Sequence, residues 1–162
     1  MKIMKAILSA LMLGSLLTVC SQIDNPIQNT EEMNTTQEIQ NLNLKMTITI
    51  DGVTHTAIFA DTEAAKTLAE KLKKGPMNLS LNTNGDFEIW GDLCPLPASN
   101  EQYSAVPGDI VLYRERYICL LYGPYTYSYT RLGKLEGLSE KELRAFLKAG
   151  QYGVKVTLAL AE

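Results

Sequence analysis

Only one histidine, three cysteines and one tryptophan occur among the 162 residues. Nucleophilic schemes that pair a histidine with serine and aspartate, or with cysteine, need that imidazole beside the nucleophile. His55 instead stands between Thr54 and Thr56, on the opposite parity to the apolar residues around it, and is expected to face solvent. A metal centre needs several ligands at defined spacing, so no metal and no cofactor are expected. No phosphate-binding glycine pattern and no recognisable carboxylate pair occur either. Lys and Arg number 15 against 18 Asp and Glu and form no cluster, which speaks against a nucleic-acid partner. No run reaches the ~20 apolar residues of a spanning helix.

What is present begins with a leader. Lys2 and Lys5 precede an uncharged apolar stretch over 6–19, and Cys20 follows at once. Basic head, short apolar middle and special residue at the cut are the layout of a secretory signal. LLTVCSQ resembles the lipobox of bacterial lipoproteins, although Val19 stands where a small residue normally precedes the cysteine. The expectation is a signal peptide over 1–19, a lipid on Cys20, and a location in the bacterial envelope on the extracytoplasmic side. The membrane would be held through that anchor. Removing 1–19 leaves 13 bases against 18 acids, net −5, so electrostatic attachment to anionic lipid is not expected. Residues 21–43 are rich in Asn, Gln and Thr, with four acids and no base. Such a stretch buries too little to offset its ordering entropy, and 20–43 reads as a polar, disordered tether of roughly 25 Å.

From Leu44 to the end the pattern is that of one mainly β domain. LKMTITI and VTHTAIFA alternate around Asp51-Gly52, the pair that a tight hairpin favours. Asp61 is placed as the cap of a helix carrying Ala65, Leu68, Ala69 and Leu72 at helical spacing, stopped by Gly75-Pro76. Two short strands are expected around Asn84-Gly85, a loop over 91–109, and a hairpin of two apolar runs around Arg114-Glu115-Arg116. Ser139 and Glu142 form a capping box at the head of a helix over 139–150 closed by Gly150. VKVTLALA at the end alternates as a strand. About eight strands and two short helices predict a closed barrel, with the last strand beside the first and the helices covering its open ends.

The candidate functional residues are aromatic. Tyr125, Tyr127, Tyr129 and Arg131 share one parity within YGPYTYSYTRLGK. Turned inward they are core; turned outward they are a platform for a peptide, a sugar or a planar ring. Phe87 and Ile89 share a parity, which puts Trp90 on the other face with Glu88, where it could flank a groove beneath the 91–109 loop. Asp92 and Asp109 border that loop, where a carboxylate either satisfies turn amides or meets a ligand. Cys119, inside an apolar strand, reads as a small hydrophobe, and its pairing with Cys94 stays open.

Trp90-Gly91-Asp92, PGDIVLY at 107–113 and YGPYTYSYTRLGKL at 122–135 resemble a bacterial family with a cyclophilin-like fold. The resemblance implies a small β-barrel capped by helices and says little about activity. Enzymatic cyclophilins are prolyl isomerases that aim an arginine at the prolyl nitrogen, beside an apolar pocket. They carry it in a Phe-His-Arg run, with a Gln-Gly-Gly run further on, and neither run exists here. The leading expectation is therefore an envelope-tethered, non-catalytic domain. It would bind a peptide segment or small ligand through Trp90, Asp92, Tyr125, Tyr127, Tyr129 and Arg131. Beside it stand a divergent isomerase using Arg131 and a structural envelope module.

Overall fold

Asp51 and Gly52 both take positive φ, 49° and 77°, the backbone twist that lets two strands continue antiparallel without splaying. In the computed structural model, which describes residues 44–161, this turn joins β1 (Lys45–Ile50) to β2 (Val53–Phe59), with Ile50 opposite Val53. The leader, Cys20 and the tether lie outside the described residues.

Helix α1 (Glu63–Leu72) follows. Its cap is Thr62, not Asp61: the Thr62 hydroxyl accepts from the Ala65 amide at 3.1 Å and donates to the Arg131 carbonyl at 2.7 Å. Asp61 sits one residue too early and pairs with Lys66 at 3.2 Å instead. Then come β3 (Met77–Asn84), β4 (Glu88–Asp92), β5 (Glu101–Ala105), β6 (Asp109–Tyr113), β7 (Tyr117–Leu121) and the long β8 (Tyr125–Leu135). Helix α2 (Glu140–Phe146) and β9 (Val154–Leu160) end the chain. The capping box forms as expected, Ser139 and Glu142 each satisfying the other's amide. The helix stops earlier than Gly150, because Lys148 already turns left-handed at φ 55°.

Eight antiparallel strands close in the order β2-β1-β9-β3-β4-β7-β6-β8, and β8 pairs back to β2. The last strand lies beside the first, with Met46 opposite Leu160 and Ile48 opposite Leu158. At the closure, a side chain on Gly133 would collide with the Ile58 carbonyl, so β2 reaches β8 only across a glycine. The fifth strand corrects the expectation of a plain loop over 91–109: Glu101–Ala105 pairs with the first half of β8, from Tyr129 back to Tyr125. The second half of β8 pairs with β6, and the register slips between Ile110 and Val111. β8 thus belongs half to the barrel and half to a two-stranded ribbon with β5.

The barrel interior is aliphatic. Met46, Ile48, Leu81, Ile89, Ile110, Leu112, Ile118, Leu120, Leu132 and Leu158 are all fully buried in it, each contributing about 1.5–3 kcal/mol of transfer free energy. Leu68 and Leu72 of α1 and Leu143 and Phe146 of α2 join that core. His55 is not simply solvent-facing. It is half-buried, with its ring 4.5 Å edge-on from Phe146.

Candidate functional site

Strand alternation gives the barrel wall two faces. Ile89, Leu120 and Ile110 are register partners that point inward. Their neighbours Trp90, Cys119 and Val111 are partners in the next row and point outward. An outward row is ordinarily wet, yet Val111, Cys119 and Leu121 are buried with Tyr129 and Ala105 in a second, smaller cluster. The cover is the ribbon half of β8. Gly123 permits its approach, since a Cβ there would stand 3.0 Å from the Asp86 carbonyl oxygen and the Phe87 Cα.

The tyrosine row therefore faces the outer wall rather than the barrel core, with its first two rings open to solvent. Tyr129 is 4% exposed and packs on the outer wall, while Tyr125 and Tyr127 stay 42% and 43% exposed. Tyr125 stacks on Phe87 at 4.1 Å with rings 7° from parallel. Tyr127 meets Tyr113 edge-on at 5.6 Å and Tyr129 at 5.8 Å. Trp90 lies across the wall against Tyr117 at 5.3 Å. Between ribbon and wall these rings, Tyr117 excepted, line a cavity of about 260 Å³ that also reaches Asn84, Glu88 and Cys119.

Glu88 is the chemically distinctive lining group. It lies on the outward face but is only 3% exposed. Its Oε1 accepts from Asn84 Nδ2 at 2.8 Å, and its Oε2 is buried without a hydrogen-bond partner among the described residues. Burial pushes the carboxyl above the usual carboxylate range, only partly offset by the Asn84 hydrogen bond and the adjacent Cys119 thiol. The same burial, with the Glu88 charge beside it, pushes Cys119 well above an ordinary thiol and Tyr129 above an ordinary phenol. Cys119 is thus a packed, protonated thiol rather than a nucleophile. Cys94 and Cys119 are both free.

Of the residues that the sequence offered, Trp90, Tyr125, Tyr127 and Tyr129 converge on this cavity. Asp92 does not. Its carboxylate is exposed and held by Arg116 through two hydrogen bonds, at 2.6 and 2.9 Å, which lower it below the usual range. Arg131 keeps the parity of the tyrosines but turns toward β5, 5.6 Å from the Tyr103 ring. There it lines a separate hollow of about 400 Å³ with Asp61, Glu63 and Glu101. Asp109 serves its turn: it accepts from the Val106 amide and the Tyr103 hydroxyl, both at 2.9 Å. Glu88, Asn84, Phe87, Tyr113 and Cys119 did not emerge as site residues from the sequence. The available signal was Glu88 sharing the parity of Trp90 in an otherwise apolar strand.

Residues 48–159 match the family model described as the cyclophilin-like family. No curated protein matches the chain.

Proposed function

Because the chain belongs to the cyclophilin-like family, a barrel whose fold leaves its activity open, we propose that it is a binding domain. Its ligand is a small molecule or the side chain of a peptide segment, held between the outer wall and the β5–β8 ribbon. The observation that carries this reading is a concave, ring-lined cavity holding a buried polar group with an unused acceptor, the usual composition of a small-molecule site. The ligand contacts are assigned to Trp90, Tyr113, Tyr125, Tyr127 and Glu88.

The proposal includes the setting. With a lipid on Cys20 and a polar tether over 20–43, the domain hangs from a membrane on the extracytoplasmic face and meets ligands there. Mass spectrometry of protein extracted from membranes tests this part, since a diacylated Cys20 fixes compartment and mature start together.

Trp90 is the only tryptophan, so its emission reports on the cavity without labelling. Titration of the purified protein with planar aromatics, short peptides and amines should give a saturable change for at least one class. Tyr127→Ala should abolish it. No saturable response across these classes, or a response indifferent to Tyr127→Ala, would overturn the reading.

A further inference from the structure

We infer that the cavity recognises a protonated alkylamine, seating an N–H against Oε2 of Glu88 and its alkyl stem among the rings of Tyr113, Tyr125 and Tyr127. This names the ligand class of the binding site proposed above and rests on that reading. Three observations select the amine. The first is the under-used acceptor: Glu88 lines the cavity, and its buried Oε2 makes no hydrogen bond among the described residues, with only the weak thiol donor of Cys119 close to the carboxyl, so a ligand bringing an N–H or O–H would complete the site. The second is charge. None of the lining side chains is Lys, Arg or His, so an ammonium meets no repulsion there and finds the one carboxyl. The third is the ring box, whose faces attract a cation and whose edges pack its methylenes. A quaternary ammonium would satisfy the rings but leave Oε2 unpaired, so an amine with N–H is preferred. Tyr125 and Tyr127, the half-exposed walls, are the side from which it enters.

Binding is coupled to a proton. Buried beside Asn84, Glu88 resists ionisation; an arriving ammonium stabilises the carboxylate, and the carboxyl proton passes to buffer. The groups facing Glu88 do not confuse this titration. Asn84 of β3 is neutral, Cys119 of β7 and Tyr129 of β8 are held protonated by burial, and the Arg114 guanidinium lies 5.1 Å from the Tyr113 ring at the rim. Affinity for an amine should rise with pH as Glu88 ionises, while affinity for a neutral alcohol of the same length stays flat.

The test is calorimetry and Trp90 emission with n-butylamine, capped lysine, tetramethylammonium and 1-butanol, in two buffers of different ionisation enthalpy. Butylamine is expected to bind about 10- to 100-fold more tightly than butanol, the value of one charge-assisted hydrogen bond, with proton release at the lower pH. Glu88→Gln, close in shape, should remove that margin and the proton release. Capped lysine binding more tightly than butylamine would identify a peptide side chain as the source, and the reverse order a free amine. Butanol matching butylamine, tetramethylammonium exceeding it, or Glu88→Gln leaving the margin intact overturns the inference. A planar aromatic that still binds in a Tyr127-dependent manner would then leave the binding-site reading standing.

Discussion

Strands β4, β7 and β6 present two faces that differ more than alternation alone requires. Inward, Ile89, Leu120 and Ile110 pack in an aliphatic interior closed on all sides by strands and helices. Outward, one residue along, Glu88, Trp90, Cys119 and Val111 meet a ribbon that covers them only in part and leaves a cavity of about 260 Å³. The interior holds nothing that a stability argument leaves unexplained. The outer face retains a carboxyl oxygen with no hydrogen-bond partner among the described residues, a defect of about 1–3 kcal/mol that an apolar residue would remove. Local rules broken at one place in an otherwise consistent fold are expected at functional positions. The comparison teaches that the barrel interior is accounted for by packing alone, while the ribbon-covered flank is where the proposed binding site would lie.

That division can be broken at either end. The largest effect should come from the interior: Leu120→Ala is expected to cost about 2–5 kcal/mol in denaturant unfolding, a loss that would also abolish binding through unfolding. Gly133→Ala, which drives a methyl group into the Ile58 carbonyl at the barrel closure, should cost about 1–3 kcal/mol by the same measurement. Ser139→Ala removes the α2 capping box and should cost about 1 kcal/mol. On the outer flank the pattern should invert. Tyr127→Ala removes a half-exposed ring and its pairing with Tyr113, at most about 1.5 kcal/mol by thermal or chemical unfolding, yet it should eliminate the ligand response of Trp90. An equal loss of stability from Tyr127→Ala and Leu120→Ala would erase the distinction.

The smallest stability effect is one of pH. A carboxyl raised in the folded state favours folding while it stays protonated. That advantage is complete below its unfolded value of about 4.3 and disappears as pH rises through the folded value. Glu88→Gln should therefore gain stability relative to the parent as pH rises above about 4, with the difference levelling off once Glu88 has ionised. A difference that stays constant with pH would place the Glu88 carboxyl in water.

Much of the architecture was legible because its determinants are local. Asp51-Gly52 turns the first hairpin by its own backbone preference, Ser139 and Glu142 close their box within one turn, and the alternation of 154–160 fixes a face. The strand at Glu101–Ala105 was not legible. It follows two prolines, has little apolar alternation, and exists because the tyrosine half of β8 offers it a free edge. Thr62 displaced Asp61 as cap for a similar reason, since its hydroxyl also reaches the Arg131 carbonyl 69 residues away.

The site divides in the same way. The aromatics announced themselves by spacing, and Tyr125, Tyr127, Tyr129 and Trp90 do meet in one cavity. What they enclose depends on the ribbon folding back over a wall built from three other strands, which no spacing records. Glu88 became a buried group only by that cover. Asp92 was lost to the site through a guanidinium 24 residues away, and Arg131 through the Tyr103 ring on the unforeseen strand.

The most direct measurement is an NMR titration of the Glu88 side-chain carboxyl carbon in the ligand-free protein, assigned with Glu88→Gln as the blank. A midpoint above the ordinary carboxylate range is expected, because the ribbon shields the group and the Asn84 and Cys119 donors offset that burial only in part. A midpoint within that range would contradict the claim, since it would mean that water reaches the floor and that the tyrosine face encloses no site.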